Sequence, residues 1–131
     1  MSESLRNIIV LESRSRWEPE LERQFVNEPV RVRGCRTIKE LSSLTFPSTI
    51  ANAASNVKIA DVVVLQISEN AAAGLQWLTS LTTQPQAPSV IILCSSESAE
   101  LEWTLRDAGA REVLIDENSG ERLARCCRGI W

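Results

Sequence analysis

Apolar runs alternate with amphipathic segments along the whole chain. Four runs are mainly apolar, and they cover residues 7–13, 62–67, 90–94 and 112–115. Runs of this length predict β-strands, and those that are apolar throughout are typical of parallel strands covered on both faces. A fifth run, VRVRGC at 30–35, alternates apolar residues with arginine. This alternation predicts a strand with one solvated face or a strand at the edge of a sheet.

Between these runs the apolar residues recur at helical spacing. Trp17, Leu21 and Phe25 follow one another every four residues, and Pro19 fits only in the first turn of such a helix. The predicted helices cover, in order, residues 16–26, a short segment around 38–44, 71–81, 98–110 and a last segment from about 119.

Five strands that alternate with five helices predict a three-layer α/β sandwich around a parallel sheet with right-handed crossovers. The doubly wound order 2-1-3-4-5 places the arginine-bearing strand on an edge and the apolar strands inside. Any site should then lie at the carboxyl ends of the first and third strands, near Glu12 and Gln66. We expect one domain over 1–131, with an irregular loop or insertion around 43–56.

The composition and charge of the chain restrict the possible classes of function. The chain has 131 residues, 44% of them hydrophobic, which suits a single core. Its 14 basic and 17 acidic residues give a net charge of -3 and no basic field, which argues against nucleic-acid binding. The N-terminal region holds only a four-residue apolar run at 8–11, so we expect neither a signal peptide nor a membrane partner, and a cytoplasmic location.

Several kinds of site are disfavoured by the residues present. The sequence has no histidine, which excludes Ser–His and Cys–His catalysis and histidine-ligated metals. Its four cysteines have no CxxC spacing, so free and mostly buried thiols are predicted at Cys35, Cys94, Cys126 and Cys127. There is also no glycine-rich phosphate loop. We therefore predict no catalytic residue, no metal and no cofactor.

Three stretches of the sequence have the residue spacing of a known protein family. ADVVVLQI at 60–67, with Gly74 eight residues after Gln66, resembles the third strand and the following helix of a response-regulator receiver domain. SVIILCSS at 89–96 and REVLIDEN at 111–118 resemble its fourth and fifth strands. The resemblance extends from about Asn7 to Gly129. It implies a CheY-like, flavodoxin-like fold and a role in two-component signalling or phosphorelay.

The same resemblance implies where a phosphorylation site would lie. In the family, an aspartate after strand three takes the phosphoryl group, two acids after strand one help bind Mg²⁺, a Ser or Thr ends strand four, and a Lys ends strand five. The matching residues here are Glu12, Ser13, Gln66, Cys94 and Asp116. A glutamine amide cannot serve as the nucleophile, and Asp116 would repel a phosphoryl group. The sequence therefore predicts a degenerate phosphoacceptor pocket, as in a pseudo-receiver.

A partner surface is predicted on the outer helices. Trp103 lies about 200° around the helix from Leu101, which belongs to the apolar stripe, so Trp103 should face outward. The last helix presents three arginines opposite its apolar stripe, Arg122, Arg125 and Arg128. In receivers, helix four, strand five and helix five commonly form a partner face. We expect a protein partner there, which could be a signalling kinase, a regulator or a second copy in a homodimer.

The most specific function predicted is a stand-alone, non-catalytic, phosphorylation-independent interaction module. One alternative is a small flavodoxin-like enzyme or ligand-binding domain that uses the crevice at the carboxyl ends of the strands. Another is a receiver that still switches, with Glu12 or a serine as acceptor. Local alternatives also stay open, a weak cation site between Glu12 and Asp116 and a reactive thiol at Cys94.

Overall fold

A five-stranded parallel sheet forms the middle layer of the computed structural model, which describes residues 5–45, 60–68, 70–84, 87–116 and 119–130. The strands are β1 (Arg6–Leu11), β2 (Val30–Cys35), β3 (Val62–Gln66), β4 (Ser89–Cys94) and β5 (Glu112–Ile115). Their order is β2-β1-β3-β4-β5, and every neighbouring pair is parallel. Both the strand order and the three-layer architecture confirm the prediction from the sequence.

Among the residues that the structure describes, four α-helices lie between successive strands and a fifth follows β5. They are α1 (Trp17–Gln24), α2 (Ile38–Thr45), α3 (Ala71–Leu81), α4 (Glu102–Asp107) and α5 (Gly120–Ile130). The fourth helix differs from the prediction of one α-helix over 98–110, because its first part, Ser96–Leu101, is a 3-10 helix. No residue of that part is fully buried, so little packing opposes the tighter turn that is common at helix ends.

The core has two halves, one on each side of the sheet. Successive strand residues point to opposite faces, so Val63 and Leu65 pack under α2, α3 and α4, while Val62 and Val64 pack under α1 and α5. All four side chains are fully buried. This two-sided burial explains why β3 is apolar throughout.

The outer elements follow the predicted patterns. Trp17, Leu21 and Phe25 are buried against the sheet, as their spacing predicts. On the edge strand β2, Arg31 and Arg33 are exposed. Charged side chains on an edge strand discourage pairing with another chain.

The predicted insertion at 43–56 is only partly within the described residues. Residues 43–45 form the last turn of α2, and residues 46–56 lie outside the described ranges. Within those ranges, no helix has the length and apolar character needed to cross a bilayer.

Candidate functional site

Glu12 is the first residue after β1, and its side chain is only 2% exposed. Its Oε1 accepts hydrogen bonds from the backbone N–H groups of Arg16 (3.1 Å) and Trp17 (2.9 Å). Its Oε2 accepts from the N–H groups of Trp17 (3.0 Å) and Glu18 (2.9 Å). These N–H groups open α1 and have no partner within the helix. Glu12 therefore caps α1, and its negative charge suits the positive end of the helix dipole.

Gln66 ends β3 and is half-buried. Its backbone carbonyl accepts a hydrogen bond from Asn70 Nδ2 (3.3 Å), and Asn70 Oδ1 accepts one from the N–H of Ser68 (2.8 Å). Among the described residues, the side-chain amide of Gln66 has no hydrogen-bond partner. Asn70 therefore connects the end of β3 to the start of α3, and Gln66 contributes its backbone carbonyl to these hydrogen bonds.

Cys94 ends β4, and its side chain is 7% exposed within the core half under α2, α3 and α4. Burial raises the pKa of this thiol, and the nearby carboxylates of Glu102 and Asp116 raise the pKa further. A raised pKa keeps the thiol protonated near neutral pH, and the thiolate is the reactive form. This environment favours the structural interpretation of Cys94 over the reactive one.

Asp116 follows β5 and is hydrogen-bonded to residues at and just after the end of β4. Its Oδ1 accepts a hydrogen bond from the backbone N–H of Ser96 (2.9 Å), and its own N–H donates to the carbonyl of Cys94 (2.8 Å). Its φ of 55° lies in the left-handed region, which aspartate tolerates better than most residues do. Asp116 therefore supports the loop that opens the 3-10 helix.

The predicted pocket residues lie at one edge of the sheet, and two of their side chains point to opposite sides of it. Glu12 is directed to α1 on one side of the sheet, and Cys94 packs into the core on the other side. Ser13 is exposed in the loop after Glu12. Across the described part of the chain, no cluster of three or more His, Cys, Asp or Glu side chains is placed to hold a metal ion.

Among the described residues, two cavities can be located away from this edge. One, of about 350 Å³, is an open groove between α2 and α3, lined in part by Trp77, whose Nε1 donates to Thr45 Oγ1 (3.0 Å). The other, of about 200 Å³, lies between β1, β2 and Leu44. Neither is lined by a residue of the predicted pocket.

Trp103 lies on α4 with 75% of its surface exposed, so it faces outward as its spacing predicts. Leu105, two residues on, is 2% exposed and packs into the core. A large aromatic side chain with this exposure is uncommon on a protein surface and is typical of a contact position.

The predicted basic surface on α5 is not one row of free cations. Arg128 Nη2 binds Glu28 Oε2 at 2.6 Å, and its guanidinium lies 4.9 Å from the ring centroid of Phe25. Arg125 Nη2 binds Glu121 Oε1 at 3.2 Å. Residues three apart on a helix are rotated by about 60°, so the three arginines spread over roughly 120° and Arg128 reaches the end of α1. The three arginines therefore differ in their surroundings, and their role as a partner face stays a prediction.

Comparison with known proteins supports the fold independently. No family model matches the sequence, and neither does any curated protein. Solved structures do match. The receiver domain of the Francisella response regulator 1452 has 18% identity and a TM-score of 0.71, covering 95% of both chains. A receiver domain protein from Clostridium thermocellum has 19% identity and a TM-score of 0.72, covering 96% of this chain and 94% of its own.

A response regulator from Thermotoga maritima is similar at only 10% identity, with a TM-score of 0.74 over 97% of this chain and 98% of its own. Similarity at these identities concerns the backbone. The chain therefore has the flavodoxin-like fold of response-regulator receiver domains, as the strand order also shows.

Proposed function

We propose that this protein is a pseudo-receiver, a non-catalytic module that acts in two-component-type signal transduction through protein contacts and without phosphorylation. One observation carries the proposal. The carboxylates at the sheet edge are bound to backbone N–H groups of the protein itself, Glu12 at α1 and Asp116 at the 3-10 helix.

Phosphoryl transfer to a receiver needs three components, a nucleophile, a divalent cation and donors for the phosphoryl oxygens. Gln66 supplies an amide where a carboxylate nucleophile is needed. Glu12 accepts hydrogen bonds from three N–H groups, which makes its oxygens less available to Mg²⁺. Asp116 adds negative charge where the phosphoryl group would need a cation. The nucleophile, the binding of a divalent cation and the positive charge facing the phosphoryl oxygens are therefore all weakened.

The proposed output is binding to another protein in the cytoplasm. Trp103 supports this because it presents a bare indole on an outer helix. The partner would be a signalling kinase, a regulator or a second copy of the chain. Its chemistry is considered in the next subsection.

The proposal is tested by adding Mg²⁺ and beryllofluoride to the ¹⁵N-labelled protein and recording its amide spectrum. We expect no shifts beyond those given by matched NaCl and sodium fluoride. Saturable shifts around Glu12 and Gln66 would overturn the proposal. Intact-mass measurement after incubation with acetyl phosphate covers the remaining acceptors, because a covalent phosphate on Glu12 or a serine would show that the protein still switches.

Gln66→Asp is the matched variant, because it restores a carboxylate nucleophile and nothing else. We expect its spectrum to stay unchanged with Mg²⁺ and beryllofluoride, since Glu12 remains bound to α1. A response of Gln66→Asp equal to that of an intact receiver would show that the rest of the site is functional. Absorbance of bound flavin or nucleotide in the purified protein would instead support the ligand-binding alternative.

A further inference from the structure

An exposed stripe runs along the 3-10 helix and α4. Glu97, Glu100, Trp103 and Asp107 recur at intervals of three or four residues, and all four are exposed. Residues at these intervals are neighbours along one side of a helical segment. We call these four residues the Trp103 stripe. It places one indole among three carboxylates.

The carboxylates of the Trp103 stripe are not neutralised within the described part of the chain. None of the three has a hydrogen bond or an ion pair with a described residue. Arg106 is the only basic residue of α4, and its Nε binds Glu102 at 3.0 Å. The stripe therefore combines exposed negative charge with exposed aromatic surface.

Two basic residues of α5 already have acidic partners of their own. Arg125 and Arg128 are paired with Glu121 and Glu28. A second copy that presented Arg125 and Arg128 to the acidic stripe would thus present side chains that already have partners. Ile115 adds a further exposed apolar side chain, 37% exposed, at the end of the strand against which α4 packs.

We propose that the Trp103 stripe binds a basic, amphipathic segment of a partner protein. A lysine or arginine of that segment stacks on the indole of Trp103, and further cations pair with Glu100 and Asp107. The inference rests on the proposed interaction function and names the chemistry of its partner.

Three physical effects support this partner. Tryptophan is the aromatic residue that binds a cation over its face most strongly. Opposite charge on the two surfaces speeds association and fixes orientation, whereas an acidic partner is repelled. An exposed tryptophan surrounded by polar groups also matches the arrangement of binding hot spots, in which a central aromatic supplies much of the affinity.

The probe is a synthetic amphipathic peptide of about 18 residues, long enough to form a helix, with arginine on one face and leucine on the other. Its control carries glutamate in place of every arginine. Binding is measured by isothermal titration calorimetry and by the shift of the indole N–H signal of Trp103 in the amide spectrum. We expect saturable binding of the arginine peptide, weakened by salt, and none of the glutamate peptide.

Two variants test whether the peptide binds at the Trp103 stripe. Trp103→Ala should weaken binding about tenfold or more, as expected for loss of a central aromatic. Glu100→Gln combined with Asp107→Asn should weaken it about fivefold and reduce its salt dependence, since two exposed charge pairs are lost. The matched control, Glu18→Gln with Glu22→Gln, removes the same charge from α1, which packs on the other side of the sheet, and should change affinity less than about twofold.

Equal weakening by the control pair would overturn the proposal, because it would show attraction to net charge alone. Peptide-induced shifts on other elements, or equal binding of the glutamate peptide, would also overturn it. A dimer in sedimentation that Trp103→Ala abolishes would assign the surface to a second copy instead. These readouts lie on α4, whereas beryllofluoride reports on the ends of β1 and β3, so either proposal can fail without the other.

Discussion

The cap that Glu12 provides for α1 makes a quantitative prediction. Glu12→Gln keeps the size of the side chain but removes its charge and replaces one acceptor oxygen with an NH₂ donor. That donor would face N–H groups of the first turn of α1, which are donors themselves. Glu12→Ala removes both oxygens and leaves three N–H groups without their acceptor.

The magnitude follows from these contacts. Loss of a capping side chain costs about 1 to 2 kcal/mol, and a hydrogen bond to a charged group contributes about 1.5 to 3 kcal/mol. Water can reach part of the site, because Arg16 is exposed and Glu18 is half-buried. We therefore expect the free energy of unfolding to fall by about 2 kcal/mol in Glu12→Gln and by about 3 kcal/mol in Glu12→Ala.

The assay is urea unfolding followed by far-ultraviolet circular dichroism. With a slope of about 2 kcal/mol per molar urea, the midpoint of Glu12→Gln should fall by about 1 M. Glu22→Gln is the control, because Glu22 is an exposed acid on the same helix, and its free energy should change by less than about 0.5 kcal/mol. A Glu12→Gln protein within about 0.5 kcal/mol of the parent would refute the capping role.

Three further predictions concern the pair at the end of α1, a buried thiol and the turn before β5. The hydrogen bond from Arg128 lowers the pKa of Glu28. The contribution of this pair to the free energy of unfolding is therefore present above the carboxyl's ordinary pKa of 4.5, and it is lost as the pH falls through the lowered value. In Arg128→Ala, the pKa of Glu28 measured by NMR should rise toward its ordinary value, and an unchanged pKa would contradict the pairing. Burial raises the pKa of Cys127 to about 12, so mass spectrometry of native protein treated with a thiol reagent at about pH 8 should show Cys127 unmodified until the chain unfolds. Gly109 has a φ of +117°, so Gly109→Ala should lower the free energy of unfolding by about 2 kcal/mol in urea. Gly129→Ala, whose Cβ would have open space within α5, should change it by less than about 1 kcal/mol, and equal losses would contradict the role of the turn.

The architecture could be predicted because burial leaves a periodic signal in the sequence. The third strand is buried on both faces, which requires the continuous apolar run that marks it. The second strand has an exposed edge, and its sequence alternates apolar residues with arginine for that reason. The predicted helix at 71–81 coincides with α3, since its apolar residues and the polar loops on both sides leave little choice of boundary.

The candidate site was harder to predict, because its chemistry depends on where each side chain points as well as on where the residue lies in the sequence. An acid after a strand has the same sequence signal whether it binds a cation or caps the next helix. The separation of Glu12 from Trp17 is also outside the spacing of a capping box, so no local motif marks the cap. Asn70 did carry a signal, since asparagine directly before a helix commonly binds backbone groups of its own loop.

Arg128 shows a different limit. Its helix position could be derived from sequence, but its partner Glu28 is 100 residues away along the chain. Whether an exposed cation is free depends on which element packs beside its helix. In this fold α1 lies next to α5, and the carboxylate of Glu28 meets the last turn of α5. Only tertiary structure decides that contact.

The capping role of Glu12 has a consequence for any cation that binds at this edge. Backbone N–H groups removed from water need acceptors, and Glu12 supplies them for α1. A Mg²⁺ ion that used Glu12 as a ligand would have to draw its oxygens away from these groups. If that release costs about 2 kcal/mol, as expected for Glu12→Gln, the affinity for Mg²⁺ falls about thirtyfold. Adding a carboxylate with Gln66→Asp leaves this cost in place, so we expect phosphorylation of that variant to require a second acid that binds the cation without uncapping α1.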